Sequence, residues 1–183
     1  MSIETARLKL RQWLPSDKIP FARLNSNPEV MKFFPQTLSQ TESDAFIQKV
    51  SASIAENGWG FWAVEIKATN EFIGFVGLNQ PSADLPFNPC IEIGWRLAQE
   101  YWGNGYATEA AQAALNFAFK TLPLEEVLAF TPVSNQASKA VMHRINMTDT
   151  AQNFLHPSLP KGHALQEHVL FKITRSVWSS HLP

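Results

Sequence analysis

Apolar residues recur along the chain with the spacing of short strands and amphipathic helices. Leu8, Leu10 and Trp13 alternate imperfectly with polar neighbours, which predicts a first strand ending before Pro15. Across residues 16–34 prolines interrupt a helical pattern, so two short helices joined by a bend are expected.

The next segments predict a helix followed by a hairpin. Ser39 or Thr41 can cap the helix, whose apolar residues share one stripe, and Asn57-Gly58 supplies a left-handed stop. Two strand-like runs follow, at residues 59–66 and 72–78, and the short polar segment between them is typical of an antiparallel hairpin.

The second half of the chain alternates strands with helices. Residues 90–97 predict a strand, and an alanine-rich helix follows a glycine-containing turn and extends to about Lys120. The remaining predicted elements are a strand at 127–131, a helix at 135–145 and strands at 147–154 and 168–174. Together these elements predict a mixed α/β fold, with one mostly antiparallel sheet of about seven strands flanked by helices.

Length and composition favour one globular domain over residues 1–183. The chain is 45% hydrophobic and 17% charged, close to the globular average. A formal net charge of −1 argues against a nucleic-acid partner. No apolar run is long enough to span a membrane, and a lone Cys90 fits a reducing compartment. We therefore expect a cytoplasmic protein without a membrane partner.

The strongest local signal is the turn Gly103-Asn104-Gly105 between a strand and a helix. Glycines there leave backbone N–H groups pointing outward, and the helix dipole adds positive charge, so phosphate oxygens can be held without basic side chains. A tight turn that merely needs positive φ is the structural alternative. A Walker loop is excluded because no Gly-Lys-Ser/Thr follows. A dinucleotide-binding fingerprint remains only a weak alternative, because Thr108 stands where its third glycine is required.

Longer motifs carry a more specific pattern. They read Glu92-Ile93-Gly94-Trp95-Arg96-Leu97, then Tyr101-Trp102-Gly103-Asn104-Gly105-Tyr106-Ala107-Thr108-Glu109-Ala110, then Asn135-Gln136-Ala137-Ser138. The first two resemble the acetyl-CoA-binding motif of the GNAT N-acetyltransferase superfamily in its RimJ/RimL-like branch, and the third resembles that branch's Asn-x-x-Ser segment. The opening Thr5-Ala6-Arg7-Leu8 is similar too, so the resemblance covers nearly the whole chain.

The resemblance implies an acetyl-CoA-dependent N-acetyltransferase. The coenzyme-binding residues that it implies are Ile93, Trp95, Trp102, Gly103, Asn104, Gly105, Tyr106, Ala107, Thr108 and Asn135. Asn135 would hydrogen-bond the pantetheine amide, and Ser138 would donate a proton to the departing sulfur. A simple helix cap by Ser134 or Asn135 is the structural alternative. Asn104 stands where a basic residue is common, so mainly backbone groups would hold the diphosphate.

Attack of an amine on a thioester requires a group that removes a proton. Glu92 alternates with Gly94 and Arg96 on one strand face while apolar residues occupy the other, so Glu92 is the candidate general base, directly or through water. A solvated glutamate or an ion pair with Arg96 is the structural alternative. Glu167 and His168 are further candidates for the base, and the spacing of the histidines argues against a metal site.

The acceptor amine is constrained by charge rather than by a motif. Phe33, Trp59, Phe61 and Glu167 are candidate acceptor-binding residues, although such aromatic side chains are more often core. The absence of converging acidic residues favours a peptide or protein N-terminus, or a small amine, over a polyamine. A non-catalytic acyl-CoA-binding module is the alternative function, and either a monomer or a homodimer is expected.

Overall fold

A nine-stranded mixed sheet runs through residues 2–181, the part of the chain that this computed structural model describes. Its strands are β1 (Ile3–Glu4), β2 (Leu8–Arg11), β3 (Phe61–Ile66), β4 (Glu71–Asn79), β5 (Glu92–Leu97), β6 (Glu126–Pro132), β7 (Thr148–Asp149), β8 (Phe154–Leu155) and β9 (Glu167–Thr174). They lie in the order β1-β2-β3-β4-β5-β6-β9-β7, with β8 paired to β9. Only β5 and β6 pair in parallel, so the predicted mixed, mostly antiparallel sheet is confirmed.

Helices cover both faces of this sheet. They are α1 (Lys18–Ser26), α2 (Gln40–Asn57), α3 (Tyr106–Thr121), α4 (Gln136–Arg144) and α5 (Arg175–Ser180). Helices α1 and α2 lie on the face where Phe21, Phe46 and Phe75 pack together. Helix α3 lies on the other face, where its Phe117 meets Trp62 of β3. The buried alanines of α3 allow its axis to approach the sheet closely.

Helix α2 begins and ends at the predicted signals. Ser39 Oγ accepts a hydrogen bond from the Glu42 N–H, and the Glu42 carboxylate accepts one from the Ser39 N–H, which is a capping box. Gly58 then adopts a φ of 78° and ends the helix in the left-handed conformation. Asn146 after α4 also takes the left-handed conformation, with a φ of 62°.

Two predictions of secondary structure were wrong, and one helix was missed. Residues 16–34 contain one α-helix instead of two. A 3₁₀ turn at Pro15–Asp17 runs directly into α1, and residues 28–36, where the second helix was expected, form turns. The strand predicted at 147–154 is reduced to β7 and β8, since Ala151 has a φ of 55° and interrupts the extended backbone. Helix α5 was not predicted.

The parallel strands β5 and β6 pair at a single position. Glu92 lies opposite Leu128, whose N–H donates to the Ile91 carbonyl at 2.9 Å. On their outer sides, β4 pairs with all of β5 and β9 pairs with all of β6. Beyond Glu92 the two strands therefore diverge, and they leave a gap that leads toward the N-termini of α3 and α4.

Candidate active site

The edge of β5 that faces the gap carries unpaired backbone groups. Successive residues of an antiparallel strand direct N–H and C=O alternately toward their partner and away from it. The Ala98 N–H donates to the Ile73 carbonyl, on the side of β4. The Ile91 carbonyl accepts from the Leu128 N–H, on the side of β6. The same alternation directs the backbone groups of Ile93 and Trp95 into the gap, where β6 no longer pairs with β5. An extended ligand containing amides can bind this edge as an additional strand.

Two left-handed glycines shape the turn that starts α3. Gly103 has a φ of 78° and Gly105, the N-cap, has a φ of 77°. A Cβ at Gly103 would have nothing within 4 Å, and one at Gly105 would meet only Arg7 Nη2, at 3.6 Å. The glycines are therefore required for conformation rather than for space. The N–H groups of residues 106–108 open the helix without intrahelical acceptors.

The side chains of Trp102 and Asn104 stabilise this turn from within. Trp102 Nε1 donates to the Leu97 carbonyl at 2.9 Å, although the residue is 48% exposed. Asn104 Nδ2 donates to the carbonyls of Tyr101 and Trp102, both at 3.1 Å. The Asn104 amide is thus used by the turn itself, which leaves backbone N–H groups as the donors that face outward.

Arg7 places positive charge beside the turn, and sequence reasoning missed it. Its Nη1 donates to the Asn104 carbonyl at 3.0 Å, its Nε pairs with Glu109 at 2.7 Å, and its guanidinium carbon lies 4.6 Å from the centre of the Tyr106 ring. Glu109 also accepts a hydrogen bond from Thr5 Oγ1 at 2.6 Å. The sequence signal that could have revealed this role was the segment Thr5-Ala6-Arg7-Leu8, since Thr5 and Arg7 both hold Glu109 in the first turn of α3.

Glu92 lies at the vertex where β5 and β6 separate. Its Oε1 accepts a hydrogen bond from Asn79 Nδ2 at 2.7 Å. Burial raises the pKa of Glu92 to about 7, outweighing the hydrogen bond, which acts in the opposite direction. A carboxyl group with this pKa is partly ionised near neutral pH, where a general base is most effective. Among residues 2–181 no ion pair involves Glu92, so the alternative of an ion pair with Arg96 is not observed.

Asn135 caps α4 and holds Ser138. Its Oδ1 accepts a hydrogen bond from the Ser138 N–H at 3.2 Å. Its Nδ2 donates to Thr131 Oγ1 at 2.9 Å and to Ser138 Oγ at 3.0 Å. The helix-cap interpretation therefore describes Asn135 correctly. Because Ser138 Oγ accepts from this amide, its own proton remains available to a further acceptor.

Trp59 and Phe61 lie together near the candidate base. With Asn79 they line a cavity of about 160 Å³ between α2 and the adjacent ends of β3 and β4. Asn79, which lines the cavity, also holds the Glu92 carboxyl group, although Glu92 itself does not line it. The structure thus brings two of the four candidate acceptor-binding residues to one place.

Phe34, the neighbour of the predicted Phe33, contacts the strand face that carries Glu92. The Phe34 ring centre lies 4.1 Å from the guanidinium carbon of Arg96, whereas the Phe33 ring lies 5.9 Å from Lys32 Nζ. The two rings are adjacent in a segment of turns, so no helical or strand period could distinguish them.

Glu167 and His168 lie on opposite faces at the start of β9. His168 pairs with Pro132, on the sheet face that Glu92 shares, whereas Glu167 accepts a hydrogen bond from Asn153 Nδ2 at 2.8 Å. Burial lowers the pKa of His168 to about 4, so its imidazole is neutral and weakly basic at pH 7. Of the three candidates for the base, Glu92 has the environment that suits the role best.

Across residues 2–181 there is no group of three or more His, Cys, Asp or Glu side chains placed to hold a metal ion. Within the same residues, no helix has the length and apolar character needed to cross a membrane.

Residues 7–148 match a family model described as an acetyltransferase (GNAT) domain. The chain belongs to the GNAT acetyltransferase family. It is also 30% identical to the FsC-acetyl coenzyme A-N(2)-transacetylase of Aspergillus fumigatus, over 97% of this chain and 77% of that protein. The family that the sequence motifs predicted is confirmed.

Solved structures give the same fold. The GNAT-family acetyltransferase from Bacillus anthracis superposes with a TM-score of 0.80 and 25% identity, over 96% of this chain and 99% of that one. RimL, a ribosomal L7/L12 alpha-N-protein acetyltransferase solved in complex with coenzyme A, superposes with a TM-score of 0.75 and 20% identity, over 95% and 98% of the two chains. The predicted likeness to the RimJ/RimL-like branch is thereby confirmed for the fold.

Proposed function

We propose that this GNAT acetyltransferase moves the acetyl group of acetyl-CoA to a primary amine by direct attack on the thioester. A peptide or protein N-terminus is favoured over a free small amine as the acceptor. The observation that carries the proposal is the gap between β5 and β6, whose open edge leads from the glycine turn to Glu92.

The gap complements acetyl-CoA along its length. The pantetheine amides can pair with the backbone groups of Ile93 and Trp95, and the diphosphate can accept hydrogen bonds from the N–H groups that open α3, where the helix dipole is positive. Asn135 Nδ2 already donates to Thr131 and Ser138, so Asn135 can assist only by accepting a coenzyme N–H at Oδ1. Backbone groups therefore supply most of the coenzyme-binding contacts.

Glu92 and Ser138 supply the two proton transfers that the reaction needs. Glu92 accepts a proton from the bound ammonium, directly or through a water, so that the amine nitrogen can attack the thioester carbon. The new C–N bond forms and the C–S bond breaks, and the second proton that the nitrogen loses on becoming an amide replaces the one that Ser138 gives to the sulfur. Ser138 Oγ–H donates to the leaving sulfur. Its proton is free to do so because Asn135 Nδ2 donates a hydrogen bond to the Ser138 oxygen and does not accept one from it.

Thiol release tests the proposal most simply. Protein incubated with acetyl-CoA and a panel of primary amines should release free coenzyme thiol only when an amine is present. Acetyl-CoA should also raise the melting temperature by ligand linkage, and Gly105→Val should remove that rise because a β-branched residue is strained at a φ of 77°.

Two outcomes would contradict the proposed acetyl transfer. Stabilisation by acetyl-CoA without amine-dependent thiol release would indicate a non-catalytic acyl-CoA-binding module instead. Stabilisation by NAD but not by acetyl-CoA would indicate a dinucleotide-binding domain.

The pH dependence of the rate tests Glu92. Because burial holds the pKa of Glu92 near 7, the carboxylate form grows as pH rises through that value, and the wild-type rate should rise with it. Glu92→Gln should lower the rate by roughly 10²- to 10⁴-fold near neutrality and recover partly at high pH, where free amine is abundant. Asn79→Ala should shift the wild-type inflection upward, because it removes a hydrogen bond that favours the charged form. A deficit in Glu92→Gln that is equal at every pH would assign Glu92 a structural role.

The exposed neighbour Ser134 is a matched control for Ser138. Ser138→Ala should lower the acetyl-transfer rate, by at most roughly 10²- to 10⁴-fold, while acetyl-CoA binding changes little. Ser134→Ala should leave the rate near wild type, because Asn135 rather than Ser134 caps α4. The acetyl-transfer rate can be measured by thiol release, and the affinity for acetyl-CoA can be measured by titration. If Ser138→Ala turns over like wild type while the chemical step limits the rate, the serine is not the proton donor.

A further inference from the structure

Two buried arginines of this chain are neutralised very differently. The side chain of Arg11 is 11% exposed and pairs with both Asp17 and Glu65, each at 2.7 Å. Arg96 is 9% exposed, yet within residues 2–181 no carboxylate lies within ion-pair distance of it. A buried charge without a counter-ion is strongly destabilising, so Arg96 requires a physical explanation.

Aromatic rings and one amide account for only part of the Arg96 environment. The guanidinium carbon lies 4.1 Å from the Phe34 ring centre and 5.4 Å from that of Phe75, and such cation–π contacts are weaker than an ion pair in a buried site. Nη1 donates to Asn25 Oδ1 at 2.8 Å, and Asn25 is itself held by Ser43 Oγ at 3.0 Å. Arg96 is thus fixed on one side by neutral partners.

The other edge of the guanidinium has no hydrogen-bond partner among the described residues. Nε is buried without a hydrogen-bond partner, and among the described residues Nη2 also makes no hydrogen bond. Nε and Nη2 form one edge of the guanidinium, with two parallel N–H donors that match the two oxygens of a carboxylate. This edge therefore has the donor geometry that binds a carboxylate through both of its oxygens.

Arg96 shares a strand face with the candidate base. It lies four residues after Glu92, and the strand rise places their Cα atoms roughly 13 Å apart. The position between them is Gly94, over which the Phe61 ring packs, 3.1 Å from where a Cβ would stand. A ligand joining the two ends of this face would pass over the Phe61 ring. Above Arg96, the covering Phe34 ring is itself 38% exposed and belongs to the turns at residues 28–36.

We propose that Arg96 binds a carboxylate of the acceptor whose amine is deprotonated at Glu92. The inference rests on the proposed acetyl transfer and adds a substrate class to it. The acceptor is an extended amine whose acidic group lies roughly 10 Å from its nitrogen, the span of about three residues of extended peptide. A carboxylate here supplies the counter-ion that Arg96 lacks and completes the open edge of its guanidinium.

A matched pair of acceptors tests this assignment. Tri-alanine with a free C-terminal carboxylate and tri-alanine amide differ in charge at one end only, and kcat/KM for each can be followed by thiol release. Wild type should favour the acid by roughly 10- to 100-fold, the range of a charge-assisted hydrogen bond. Arg96→Gln should bring the ratio close to one. Arg96→Lys should give an intermediate ratio, because it keeps the charge without the two parallel donors.

Lys32→Gln is the matched control, since it removes an exposed positive charge from the segment that carries Phe34. It should keep the wild-type ratio. Equal kcat/KM for the two peptides in wild type would overturn the inference while leaving the acetyl transfer standing. An acid preference that survives in Arg96→Gln would overturn it as well.

The wild-type comparison needs no variant, so equal kcat/KM values overturn the inference even where Arg96→Gln does not fold, and Arg96→Lys then tests the assignment to Arg96. If the protein acetylates neither peptide nor any other amine, both the proposed function and this inference are wrong.

Discussion

The divergence of β5 and β6 is the constraint on which the site depends. Parallel strands ordinarily satisfy each other's backbone groups along their length, yet these two share the single pair Glu92 and Leu128. The arrangement holds because each strand is fully paired on its outer side, β5 with β4 and β6 with β9. What remains is an internal edge with free donors and acceptors, which requires a partner. A coenzyme with amides along its length is such a partner.

The same geometry sets the electrostatics of the face of β5 that carries Glu92 and Arg96. Glu92, at the vertex, is enclosed enough that its pKa rises to about 7, whereas Arg96 further along the strand stays charged although burial lowers its pKa to about 10. The face therefore carries a carboxyl group that ionises near neutrality and one permanent cation. Such a face suits a proposed acceptor that carries one amine near Glu92 and one acidic group near Arg96, and it disfavours a polycation.

Features with local causes could be predicted from the sequence. Helix α2 has its cap at Ser39 and its stop at Gly58, and the alternation of β5 placed Glu92 on the correct face. The glycine turn and the Asn135–Ser138 pair came from a motif. Contacts between distant segments leave no local period, so Asn79 beside Glu92 and Arg7 beside Gly105 were missed. The strand predicted at 147–154 was wrong because a left-handed Ala151 has no residue signature.

Residue-resolved amide exchange with and without coenzyme A tests the central claim most directly. By strand alternation the N–H groups of Ile93 and Trp95 face the gap, whereas those of Gly94 and Arg96 bond to β4. Coenzyme A should slow exchange at Ile93 and Trp95 by more than the general slowing that stabilisation of the fold brings to Gly94 and Arg96. Coenzyme A that raises the melting temperature without protecting Ile93 and Trp95 would show that the gap between β5 and β6 is not its binding site.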